Sequence, residues 1–171
     1  MSARAIFGLQ VLLSLAGYTL IARWYVAPRL AALSLPAALT PLLLFHAFRH
    51  LGMVFLVPTV VGPALPPAFA VPAAYGDLLA ALLALLAIAA LRMEWALAIA
   101  LVWVFNVVGL LDLVNAFYQG IRNNVQLSAA YYIPTFAVPA LLVTHAMIFA
   151  MLIRRARRRG GPLRLPRAAR L

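Results

Sequence analysis

The apolar run from Ile6 to Val26 limits what this chain can fold into more than any other feature. About 20 residues of helix, at roughly 1.5 Å each, match the roughly 30 Å of a bilayer's hydrocarbon core. The run is too long for the apolar core of a signal peptide, about 7–15 residues, and it closes on Arg23, Trp24 and Tyr25, an interfacial anchor and not a cleavage site. It is therefore expected to be retained as a first span. The remainder of the chain needs the same solvent. Hydrophobic residues make up 67% and charged residues 10%, against about 45–50% and about 25% in soluble domains. A soluble domain of this size buries only about two-thirds of its unfolded surface, so lipid must cover what water cannot.

Thr40-Pro41 offers a hydroxyl N-cap followed by proline at the first helical position, which starts span two and carries it to Val57. Six residues, Pro58, Gly62, Pro63, Pro66, Pro67 and Pro72, then read as a loop. The stretch Leu78–Phe117 is too long for one crossing and folds back at Arg92-Met93-Glu94-Trp95. A polar loop from Gln119 to Gln126 precedes the last span, which Pro134 and Pro139 should bend. The expectation is an all-α integral membrane protein of five transmembrane helices, spans 6–26, 41–57, 78–91, 95–117 and 132–153, within a bundle 1–153 followed by a basic, disordered tail 154–171.

Charge sets the expected orientation. The net charge is +11, yet eight of the fourteen basic residues lie in Arg154–Arg170. With that tail in the cytoplasm, Arg23, Arg29, Arg92 and the eight tail arginines fall inside and only Arg4 and Arg122 outside, which places the N-terminus outside. Multi-pass insertion in a cell (inner) membrane of bacterial type follows. The tail is expected to meet anionic lipid, at about 1 kcal/mol per arginine, and not nucleic acid. A membrane-protein partner or a second copy of the chain is compatible with the composition. The absence of cysteine excludes disulfides and thiolate metal sites.

Polar residues inside spans are costly and mark function. His46, Arg49, His50 and Met53 have the spacing i, i+3, i+4, i+7, one face of an α-helix. Counting at 1.5 Å per residue puts His46 and His50 roughly 8 and 14 Å deep, His145 roughly 12 Å and Asn106 roughly 16 Å, so all four can share a level. Asp112, Asn115 and Gln119 form a second stripe in span four. Asp112 has Arg49 as its candidate partner, although the same counting separates them by roughly 13 Å; the equal alternative is that Asp112 sits beside water in the outer headgroup region. Asp77, after Gly76, reads as an N-cap. Gln10, Ser14 and Gly17 share a face suited to close packing and an interhelical hydrogen bond.

These residues point to an intramembrane site formed by His46, Arg49, His50 and His145. Three imidazoles without cysteine suit a divalent transition metal held by His46, His50 and His145, or two of them could ligate a haem whose propionate meets Arg49. Electron transfer or redox support would follow from haem. The alternatives are a small proton-coupled transporter or permease subunit, an embedded enzyme acting on a lipid or isoprenoid, and structural hydrogen bonding between helices.

Overall fold

The computed structural model describes residues 1–159. Among them, five helical segments are long and apolar enough to cross a membrane: α1 (Ala3–Ala31), α2 (Leu35–Leu56), α3 (Pro67–Arg92), α4 (Ala98–Arg122) and α5 (Ser128–Arg157). Strands are absent from the described residues. The expected tail begins inside the final helix, which continues to Arg159, and its remainder, 160–171, lies outside the described residues.

The helix starts differ from the sequence reading, and proline explains why. Helix α2 begins six residues before Pro41, with Ser34 extended at the cap and Pro36 in the first turn, so Thr40 lies inside the helix and donates its hydroxyl to the Pro36 carbonyl at 2.8 Å. Helix α3 begins at Pro67 and runs through Pro72, not from residue 78. A proline near a helix start forfeits one backbone bond and leaves the rest of the ladder intact. At the other end of the chain's polar loop, α4 carries Gln119–Arg122 as helix before Asn124 turns in the left-handed region. The hairpin expected at Arg92–Trp95 is present: Glu94 takes φ 54° and the Trp95 N–H reaches back to the Ala90 carbonyl at 2.9 Å.

Helix α3 is the centre of the bundle, packed against α2 and α4. Its buried face is a stripe of small residues, Ala73, Ala74, Ala80, Ala84 and Ala87, interrupted by Asp77, while Leu79, Leu82 and Leu86 point outward. That inversion suits lipid, where alanine lets helices approach closely and leucine gains nothing by hiding. Helix α1 is peripheral, lying on α5, and no residue of Ala3–Ile21 is buried. The Tyr131 hydroxyl donates to Gln10 at 2.6 Å, the expected interhelical bond, but Gly17 has no atom near enough to make it a packing position.

Two apolar clusters fill the ends of the bundle. One contains Leu39, Leu43, Ala84, Val102, Phe105, Ile148 and Leu152; the other contains Phe55, Leu65, Phe69, Ala73 and Ala130. The polar residues lie between them.

Candidate functional site

Helices α2, α3 and α4 each bring one charged residue to a common level. Arg49 stands fourteen residues from the start of α2, Asp112 fourteen from the start of α4, and Asp77 fifteen from the end of α3. Those three helix ends lie on one side of the bundle, so each charge is roughly 21 Å from it at 1.5 Å per residue. The expected Arg49–Asp112 pair therefore forms. The depth gap in the sequence reading came from starting α2 too late. Asp77, expected as a cap, is instead a mid-helix ion-pair partner, because its helix starts ten residues earlier.

Arg49 Nε donates to Asp77 at 2.7 Å, Nη2 to Asp112 at 2.5 Å, and Nη1 to the Gly109 carbonyl at 2.9 Å. Its side chain is 0% exposed, and those of Asp77 and Asp112 are 12% and 14% exposed. One guanidinium thus faces two carboxylates, which gives the centre a formal charge of −1 with both ionised.

Glycine makes this arrangement possible. A Cβ on Gly52 would collide with the Asp77 carboxylate and one on Gly76 with the Asp112 carboxylate; one on Gly109 would stand 2.9 Å from Arg49 Nη1. Gly52 of α2 therefore receives Asp77 of α3, Gly76 of α3 receives Asp112 of α4, and Gly109 of α4 receives Arg49 of α2. The ring closes, each helix contributing one charge and one socket.

Local geometry aligns the first pair. From Phe48 to Leu56, α2 winds as a 3-10 helix whose buried residues are Arg49, Gly52 and Phe55. A spacing of three stays on one line at about 3.0 residues per turn. The same winding carries His50 off the expected face: it is exposed, and its Nδ1 sits 2.8 Å from the Ala47 carbonyl. Asn115, expected beside Asp112, is exposed as well.

His46 and His145 do meet. Both are 0% exposed, their ring centroids are 4.2 Å apart, and Phe105 packs on both. Asn106, also buried, donates its Nδ2 to the His145 carbonyl at 3.2 Å, which turns its Oδ1 toward His145 Nδ1 at 2.7 Å. Only a donor can face that oxygen, so the hydrogen-bond network assigns the ring proton to Nδ1 and leaves a lone pair on Nε2. Thr144 Oγ1 lies 2.9 Å from His46 Nε2 and within 3.0 Å of the Ala140 and Leu141 carbonyls. With the hydroxyl hydrogen on a carbonyl, His46 Nε2 is the donor and Nδ1 keeps its lone pair. His46 Nδ1 and His145 Nε2 are buried with no hydrogen-bond partner among the described residues.

Gly109 is where the two groups adjoin. The point a Cβ would occupy there is 2.9 Å from Arg49 Nη1 and 3.1 Å from His145 Nε2. The imidazole pair and the guanidinium therefore border the same stretch of α4. With His50 turned away, the four expected site residues reduce to Arg49, His46 and His145, joined by Asp77, Asp112 and Asn106. Among the described residues no group of three His, Asp or Glu side chains is placed to hold a metal ion.

A family model described as a domain of unknown function, DUF8737, matches residues 6–153. The chain belongs to the DUF8737 family. The match takes in the charge ring and the imidazole pair of this DUF8737 protein entire. No curated protein and no solved structure matches the chain.

Proposed function

We propose that this chain is a multi-pass protein of the cell (inner) membrane, N-terminus outside and C-terminus cytoplasmic, in which the Asp77–Arg49–Asp112 centre binds and releases a proton in proton-coupled transport. The observation that carries this reading is the excess of one carboxylate over the guanidinium at mid-bundle. A simple ion pair would be neutral. A buried charge of −1 is expensive in a low-dielectric interior, and one proton on either carboxylate removes it. Protonation also weakens that carboxyl as an acceptor, while Arg49 keeps its bonds to the other carboxylate and to the Gly109 carbonyl. The proton resides on the carboxyl oxygen and Arg49 stays charged.

The imidazole geometry favours this over the metal and haem expectations. Rings 4.2 Å apart leave no gap for a porphyrin between them, and the pair offers two nitrogens where a tetrahedral ion with three histidines and water needs three. An enzymatic general base must reach its substrate, whereas both imidazoles are 0% exposed. The orientation rests on the eleven-to-two arginine asymmetry. The Arg4–Asn124 bond puts Arg4 and Arg122 at the same end, as that partition of arginines requires.

Proteoliposomes holding a trapped pH indicator test the reading. Under an imposed membrane potential, wild-type vesicles should acidify faster than protein-free ones, and Asp112→Asn should abolish the difference. Wild-type rates equal to those of empty vesicles, with and without a panel of candidate co-substrates, would refute it.

A further inference from the structure

The beginning of α2 and the end of α3 enclose a groove of about 430 Å³, lined by Ser34, Ala37, Thr40, Pro41, Leu44 and Arg92 among others. It is independent of the charge ring. Its two ends differ in chemistry. Ser34 is the residue preceding α2 and Arg92 the last residue of α3, so this end lies where the spans leave the apolar layer. Leu44 is nine residues into α2, roughly 14 Å deeper. Leu44, Pro41 and Arg92 are exposed, so the groove opens sideways, toward whatever surrounds the bundle.

The polar end carries unused hydrogen-bonding capacity of both signs. Arg92 has no carboxylate partner among the described residues. The Ser34 side chain makes no capping bond to α2. Pro41, inside the helix, has no N–H to give the Ala37 carbonyl one turn earlier, so that carbonyl lacks its helical donor at the level of Ser34. The Thr40 hydroxyl is already committed to the Pro36 carbonyl. The site therefore offers a cation and a hydroxyl for an anion, one free carbonyl for a donor, and an apolar wall leading into the span.

We propose that this groove binds one anionic phospholipid with a hydroxylated headgroup, of the phosphatidylglycerol class. Arg92 and Ser34 donate to the phosphate, the Ala37 carbonyl accepts from a headgroup hydroxyl, and an acyl chain lies along Pro41 and Leu44. A basic pocket between spans on the arginine-rich side is a setting in which anionic headgroups bind. Phosphatidylcholine satisfies neither the charge balance nor the carbonyl, since its headgroup is zwitterionic and lacks a hydroxyl donor.

Native mass spectrometry of the full-length protein released from nanodiscs of mixed phosphatidylglycerol and phosphatidylcholine measures the preference. The wild type should retain one phosphatidylglycerol in preference to phosphatidylcholine. Arg92→Gln should lower that preference about fivefold, the equivalent of about 1 kcal/mol for one arginine at a lipid surface, while Arg122→Gln should leave it unchanged. Leu44→Trp, which fills the apolar wall without altering charge, should lower retention of both lipids at this position. A phosphatidylglycerol bearing a photoreactive acyl chain should label residues of α2 near Leu44. Unchanged preference in Arg92→Gln, labelling confined to α1 or to the arginine tail, or displacement of the lipid by inorganic phosphate alone would each overturn the assignment.

Discussion

Gly76→Ala is the sharpest perturbation of the charge ring, because helix propensity and site geometry predict opposite signs. Alanine is favoured over glycine by about 1 kcal/mol in a helix interior, and Gly76 lies nine residues into α3, within regular helix. Its Cβ, however, would occupy the position of the Asp112 carboxylate. That carboxylate must then leave Arg49 Nη2, and breaking one partner out of a buried ion pair costs about 3–5 kcal/mol. The net expectation is a loss of about 2–4 kcal/mol, or a fall of roughly 4–16 °C in Tm for a chain of this size. Gly8→Ala supplies the control, since nothing lies within 4 Å of a Cβ there, and it should be neutral or slightly stabilising. Thermal unfolding of both variants in the same detergent, followed by intrinsic fluorescence, checks the pair. If Gly76→Ala is as stable as Gly8→Ala, the socket argument is wrong.

Arg49→Leu should destabilise the protein by about 3–5 kcal/mol by stranding two buried carboxylates, whereas Arg122→Leu, at an exposed helix end, should stay within about 0.5 kcal/mol; chemical unfolding in mixed micelles compares them. Asn106→Leu removes the acceptor for His145 Nδ1–H and should cost about 1–3 kcal/mol in the same assay, while His50→Ala should be silent because that ring is exposed. A reporter fused after Leu171 should be active only in the cytoplasm and a tag inserted at Gly62–Pro66 should be labelled from outside; a cytoplasmic tag would overturn the topology.

The segments that cross the bundle are legible from hydropathy because lipid tolerates little polarity across 20 residues. Their ends are not, since prolines that forbid a helix interior are welcome in its first turns, and Pro36, Pro67 and Pro72 all sit near starts. That single ambiguity hid the place of Asp77 in the charge ring and the common depth of Arg49 and Asp112. Starting α3 at residue 78 makes Asp77 a cap, and starting α2 at Pro41 puts Arg49 too shallow to meet Asp112. The pairing of Arg49 with Asp112 and the buried roles of His46, His145 and Asn106 were readable from the cost of polarity in a span. The departure of His50 was not, because a change from α to 3-10 winding has no evident signal in Phe48–Leu56. The sequence does carry a signal for the ring. Each of three spans holds its charged residue within three positions of a glycine, Arg49 with Gly52, Asp77 with Gly76, and Asp112 with Gly109, and a charge crossing between packed helices needs such a socket.

In the proposed function, a carboxyl of the Asp77–Arg49–Asp112 centre takes up a proton while Arg49 remains charged. Infrared difference spectroscopy of the purified protein in lipid, stepped from alkaline to acidic buffer, reads this directly through the stretching band of protonated carboxyl groups, and Glu94, the remaining acidic side chain, can be removed beforehand as Glu94→Gln. A protonated-carboxyl band that grows on acidification, shifts in deuterium oxide and disappears in the Asp77→Asn, Asp112→Asn double variant is the predicted result. A band that survives in that variant, or no carboxyl protonation at any pH at which the protein stays folded, would contradict the account.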